Sequence, residues 1–164
     1  MRWMLMVALG LMMNTAVAAS KVAVVDMERA VFLSDAAKNS IKAFEQENSG
    51  DISKLKALES DLRALQEKRE KNADFMSEDE ARKLAKEFEE KRSEFQFFGQ
   101  KLQKLEQRWK REFFQTQLPN VEKLLKAIIK EGEYDVVLQA GAVVYATPDV
   151  DLTKPLLERL NAEN

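Results

Sequence analysis

Two apolar stripes that mirror each other about one point restrict this chain more than any other feature of its sequence. With Ile41 taken as heptad position a, the a sites are Ile41, Asn48, Leu55, Leu62 and Arg69, and the d sites are Phe44, Asp51, Leu58 and Leu65. An apolar residue every 3.5 positions in a polar background is the seam of a coiled coil. The stripe stops at "KNADFMSEDEARK". There Ser77, with Glu80 three places on, predicts a capping box, and Glu78 and Asp79 set negative charge at the positive end of a new helix. A second stripe follows, with Ala81, Phe88, Phe95, Leu102 and Trp109 at a, and Leu84, Lys91, Phe98 and Leu105 at d. If the chain reverses near residue 75, facing residues have numbers summing to about 150. That rule sets Leu62 against Phe88, Leu55 against Phe95, Leu65 against Leu84 and Phe44 against Leu105. Apolar meets apolar, which predicts an antiparallel helical hairpin over residues 35–119 with its turn near 74–77. Twenty-eight steps of second helix at ~1.5 Å each give about 42 Å of paired length.

The ends of the chain carry a different pattern. "KVAVVDM" reads as a short buried strand, followed by a short helix over Glu28 to Leu33 and by Ser34 and Asp35 as N-cap candidates. Pro119 interrupts the second long helix, but Val121, Leu124, Leu125, Ile128 and Ile129 continue its apolar face, so the helix is expected to bend and run on to Gly132. Beyond it, Tyr134 to Leu138 and Ala142 to Ala146 read as two strands joined at Ala140 and Gly141, and Thr153 reads as the N-cap of a final helix carrying Leu156, Leu157 and Leu160. The first strand and these two can meet only if the long helices begin and end together. The predicted fold class is therefore α+β and mostly helical: a small strand-containing body, from residues 20–34 and 120–164, with a long antiparallel coiled-coil hairpin arm. So little core per chain points to association through the body.

Residues 1–19 have the layout of a cleaved secretory signal peptide, with Arg2, an apolar run from Trp3 to Met13, then Ala16-Val17-Ala18. The expected product is exported. Without Arg2 it carries 25 Lys and Arg against 28 Asp and Glu, near net −3. Zero cysteines exclude disulfides and a lipid anchor on cysteine, and zero histidines remove the imidazole base. No thiol nucleophile and no zinc site of the usual ligands can be built. The many carboxylates alternate with lysines at helical spacing, as on a solvated face. No phosphate-binding glycine loop occurs. Neither catalytic residues, a metal nor a cofactor is expected, and export with an acidic balance argues against nucleic acid as partner.

Together, "KVAVVDMERAVFLSDAAK", the charged hairpin, "LPNVEKLLKAIIKEGEYDVVLQAGAVVYA" and "DLTKPLLERLN" resemble the Skp/OmpH family of periplasmic chaperones over the whole exported chain. The resemblance implies a homotrimer whose strands assemble into a central body, with three helical arms around a cavity that holds unfolded outer-membrane proteins without ATP. A structural spacer or adaptor of the cell envelope is the alternative, because it would use the same hairpin. Well-known members are strongly basic and this chain is not, so contact with lipid or lipopolysaccharide is left open. Its basic clusters, around Arg63 to Lys71 and Lys101 to Arg111, read as solvated flanks of the coiled coil.

Within this frame "EFQFFGQ" stands out. Phe95 and Phe98 fall on the seam with Leu102 and Leu105, whereas Phe97 at position c does not, and Phe113 and Phe114 are also off the seam. These three phenylalanines are the candidates for a cavity wall that offers an unfolded client weak, non-directional apolar contact. Gly99 lies level with Gly50 under the 150 rule, beside polar Asn48 and Asp51. A pair of glycines, each ~1 kcal/mol less favourable in a helix than alanine, marks a candidate hinge in the arm.

Overall fold

The computed structural model describes residues 20–163; the expected signal peptide lies outside them. The elements follow in the order β1 (Val22–Val25), α1 (Met27–Leu33), α2 (Asp35–Glu47), α3 (Ser49–Asn72), α4 (Glu78–Glu131), β2 (Val136–Gln139) and α5 (Thr153–Ala162), with short 3-10 turns at Ala140–Ala142 and Pro148–Val150. The fold is α+β and mostly helical, a small strand-containing body carrying a long helical hairpin.

The body forms around the first strand. Ala23, Val24 and Val25 are all buried, as a strand covered on both faces requires. Asp26 then caps α1 through its side chain, which accepts from the Arg29 N–H. β2 lies parallel to β1 in the register Val22↔Val136 to Val25↔Gln139, and the whole hairpin forms the crossover between them. Lys21 pins the start of this sheet: its N–H donates to Asp135 Oδ2 at 2.7 Å and its ammonium to the Gly132 carbonyl at 2.6 Å. On the other side of β1, the Leu152 N–H donates to the Val24 carbonyl. The core beneath joins Ala30 and Val31 of α1, Val121, Leu124 and Ile128 of α4, and Leu152, Leu156 and Leu160. α4 passes through Pro119 without ending and stops at Gly132. The left-handed backbone of the stop falls on Glu133, φ 53°. A Cβ on Gly132 would overlap the Tyr134 ring.

Ser34 caps α2 by accepting from the Ala37 N–H. At the far end the Ser77 hydroxyl accepts from the Glu80 N–H and the Glu80 carboxylate accepts from Ser77, the reciprocal arrangement predicted. Hydrogen bonds from the Ser77 side chain and then its backbone hold the Glu80 carboxyl below the usual carboxylate range. A carboxyl lowered on folding stabilises above its ordinary pKa, and that stability is lost as pH falls through the lowered value. Ion pairs bridge the hairpin, Lys54–Glu94 at 3.1 Å, Lys91–Asp61 at 2.8 Å and Lys101–Asp51 at 2.5 Å. Their numbers sum to 148 and 152, so the register follows the mirror rule. The polar seam positions Lys91 and Asp51 are thus paired, and Asn48 donates from Nδ2 to the Phe44 carbonyl; the seam near Asp51 is held by charge rather than left weak.

Two expectations for the body are corrected. Ala142 to Ala146 form no strand: the chain turns at Ala140–Ala142, and Val143 to Ala146 have no backbone partner in a sheet whose strands are β1 and β2. Thr153 does not cap α5. It is the first helical residue, behind Leu152, because its hydroxyl is used elsewhere, accepting from the Asp26 N–H at 2.8 Å.

Candidate functional site

The surface with most potential for contact lies along the hairpin. Two helices alone cover each other incompletely, and of the seam residues only Leu58 and Leu84 are fully buried. Leu55, Leu62, Leu65, Phe88, Phe95, Phe98, Leu102 and Leu105 remain half-buried. Each flank of the seam therefore offers a strip of accessible apolar surface framed by charge. One such strip, between Leu62, Phe88 and Phe95, is edged by Arg63 and Arg92.

The off-seam phenylalanines separate into two groups. Phe97 is 62% exposed, with its ring edge-on to Phe98 at 5.4 Å between centroids. It is presented from within α4, well away from either end. Phe113 and Phe114 are half-buried rather than open. Their rings lie 6.0 and 6.4 Å from Phe32 of α1, and both pack against the body core. The heptad register considered only the partner helix of the hairpin, whereas at this height α1 is a second neighbour.

Sequence reasoning missed Phe75. It sits in the hairpin turn, 89% exposed, next to half-buried Met76, between Asn72, whose carbonyl accepts from its N–H, and the Ser77 cap. The available signal was an adjacent pair of apolar residues in a turn otherwise polar. Val144 and Tyr145 are likewise open, Tyr145 at 80%.

The glycines stand in open space, since a Cβ built on either Gly50 or Gly99 meets nothing within 4 Å. Neither is there to make room for Phe97 or Phe98. Gly50 lies two residues beyond Asn48, the non-helical residue that separates α2 from α3. Among the described residues no helix is long and apolar enough to cross a membrane, and no acidic group is clustered for a metal ion.

Comparison with known proteins places this architecture. The profile of the outer membrane protein (OmpH-like) family matches residues 21–160. The chain belongs to that family. It is 34% identical over 147 residues to the Skp-like protein of Pseudomonas aeruginosa, covering 90% of this chain and 88% of that one. Against the chaperone protein Skp of Escherichia coli it is 31% identical, covering 97% and 98%. Against the chaperone protein Skp of Yersinia enterocolitica it is 27% identical, again over 97% and 98%. A crystal structure of an OmpH-like outer membrane chaperone from Caulobacter crescentus overlays with a TM-score of 0.49 at 20% identity, covering 90% of this chain and 87% of that one.

Proposed function

We propose that the protein is an ATP-independent periplasmic holdase that binds unfolded outer-membrane protein precursors between the helical arms of a homotrimer and keeps them from aggregating. Family membership with relatives named as chaperones supports the class of activity. The observation that carries the binding mode is the half-open seam. Eight large apolar side chains per arm are left accessible along their flanks, with exposed Phe97 beside them. Many shallow contacts hold varied sequences and trap none of them. On dilution of a urea-unfolded outer-membrane β-barrel protein, near-stoichiometric amounts of the chain suppress its aggregation. A structural spacer leaves turbidity unchanged. Phe97→Ser raises the concentration needed for half protection about fivefold, the effect of roughly 1 kcal/mol of lost apolar burial. Equal protection by the variant removes Phe97 from the client surface.

The arm is proposed to bend at the level of Gly50 and Gly99, letting the cavity follow the size of its client. In support, the helix on one side is already broken at Asn48, and both glycines lack any neighbour that would require them. Each therefore weakens its helix by ~1 kcal/mol relative to alanine with no packing return. Replacing both by alanine narrows the distribution of distances between spin labels at the tip and in the body. An unchanged distribution ends the hinge.

A further inference from the structure

Where α2 gives way to α3, the root of the arm carries a groove of about 440 Å³ that the family assignment does not explain. Ile41 and Phe44 line it from before the break, Ile52 from after it, and Leu102 and Trp109 from α4, which runs past uninterrupted. Its aromatic wall is fixed. The Trp109 indole N–H donates to Ser40 Oγ at 2.8 Å, and its ring packs 5.8 Å from Phe44 and 5.7 Å from Phe113. A wall held from behind cannot collapse into the groove, so the space is kept open ahead of any ligand, and little ordering has to be lost on binding.

The rim carries an uneven charge. Lys110 is taken up by Glu106 at 2.7 Å, whereas the Glu45 carboxylate, also on the rim, has no ion-pair partner among the described residues. An apolar floor beneath one uncompensated anion complements a large apolar side chain that has a cation as its neighbour.

We propose that this groove is a subsite for unfolded polypeptide that takes one aromatic or long aliphatic side chain, with the lysine or arginine adjacent to it in sequence paired to Glu45. The inference rests on the holdase reading and adds a site with a side-chain preference to a surface otherwise without one. It gives each arm an anchoring point at its root, near the body.

Trp109 supplies the readout. Of the two tryptophans in the sequence, Trp3 is removed with the expected signal peptide, or is replaced in the full chain by Trp3→Phe, leaving Trp109 as the only emitter. Two probes are titrated, Gly/Ser decapeptides that differ in one position: phenylalanine followed by lysine in one, by glutamate in the other. The expected result is a saturable change in Trp109 emission, with the lysine peptide bound about two- to fivefold tighter, the range of a solvent-exposed ion pair. In Glu45→Gln, an exposed position that leaves folding intact, the two peptides bind alike. No change in emission, or equal binding of both peptides by the unaltered chain, overturns the subsite. Aggregation of an unfolded β-barrel protein is followed in parallel. Failure to suppress it removes the holdase reading whatever the peptides do, while suppression with a silent Trp109 removes the groove alone.

Discussion

Chains carrying Val144→Asp together with Tyr145→Asp are expected to sediment as single chains at a concentration where the unaltered protein forms the proposed trimer. The expectation follows from the sheet. With only β1 and β2 in the sheet among the described residues, the outer edge of β2 has unpaired backbone donors and acceptors, and Val136 and Leu138 on it are 42% exposed. A two-stranded sheet is marginal by itself, and an open edge is a template for another strand. The segment after Ala142 has the residue types of a strand and an extended backbone at Val143, φ −116° and ψ 131°, but no partner within its own chain. The proposed trimer supplies one, with Val144 and Tyr145 carried into the contact between copies. Two carboxylates buried there without partners weaken the assembly by about 3–5 kcal/mol each, more than a hundredfold in dissociation. Protection of unfolded clients is lost with the trimer, while helix content by circular dichroism is retained because the hairpin contacts are intramolecular. A trimer that persists in the double variant shows that the seam between copies lies elsewhere.

The same segment shows what a single chain's sequence reveals. The hairpin was legible because its determinants are local and repeated: a 3.5-residue stripe, a capping box at Ser77 and a mirror point all survive without knowledge of the rest of the fold. Ala142 to Ala146 have strand-like residue types yet form no strand, because a strand requires a second backbone and no pattern within the segment says whose. Thr153 has the composition of a cap and lost that role to a long-range hydrogen bond with Asp26. Phe113 and Phe114 looked free for the same reason, since Phe32, their partner, is about eighty residues distant in sequence. The groove at the arm root was hidden differently. Glu45 and Ile52 occupy e positions beside the seam, and no local pattern announced that the helix would be interrupted at Asn48 between them.

Leu156→Ala produces the largest loss of stability expected from a single side chain here. Leu156 is wholly buried on α5, in the core that joins α1, α4 and β1, and deleting it leaves a cavity at a cost of about 2–5 kcal/mol. The effect is expected to be graded along α4. That helix has 54 residues, about 81 Å, and belongs to two environments. Its body end places Val121, Leu124 and Ile128 in the core; its other end has Leu84 as its buried residue. Local opening free energy rises with buried apolar contact, so amide exchange should be slowest from Val121 to Ile128 and fastest toward Ser77. In Leu156→Ala the slow amides accelerate at least about thirtyfold, the factor that corresponds to about 2 kcal/mol. Amides near Leu84 and Leu58 keep their rates, because their opening already proceeds without the body. Equal acceleration along all of α4 would mean that body and arm open as one unit.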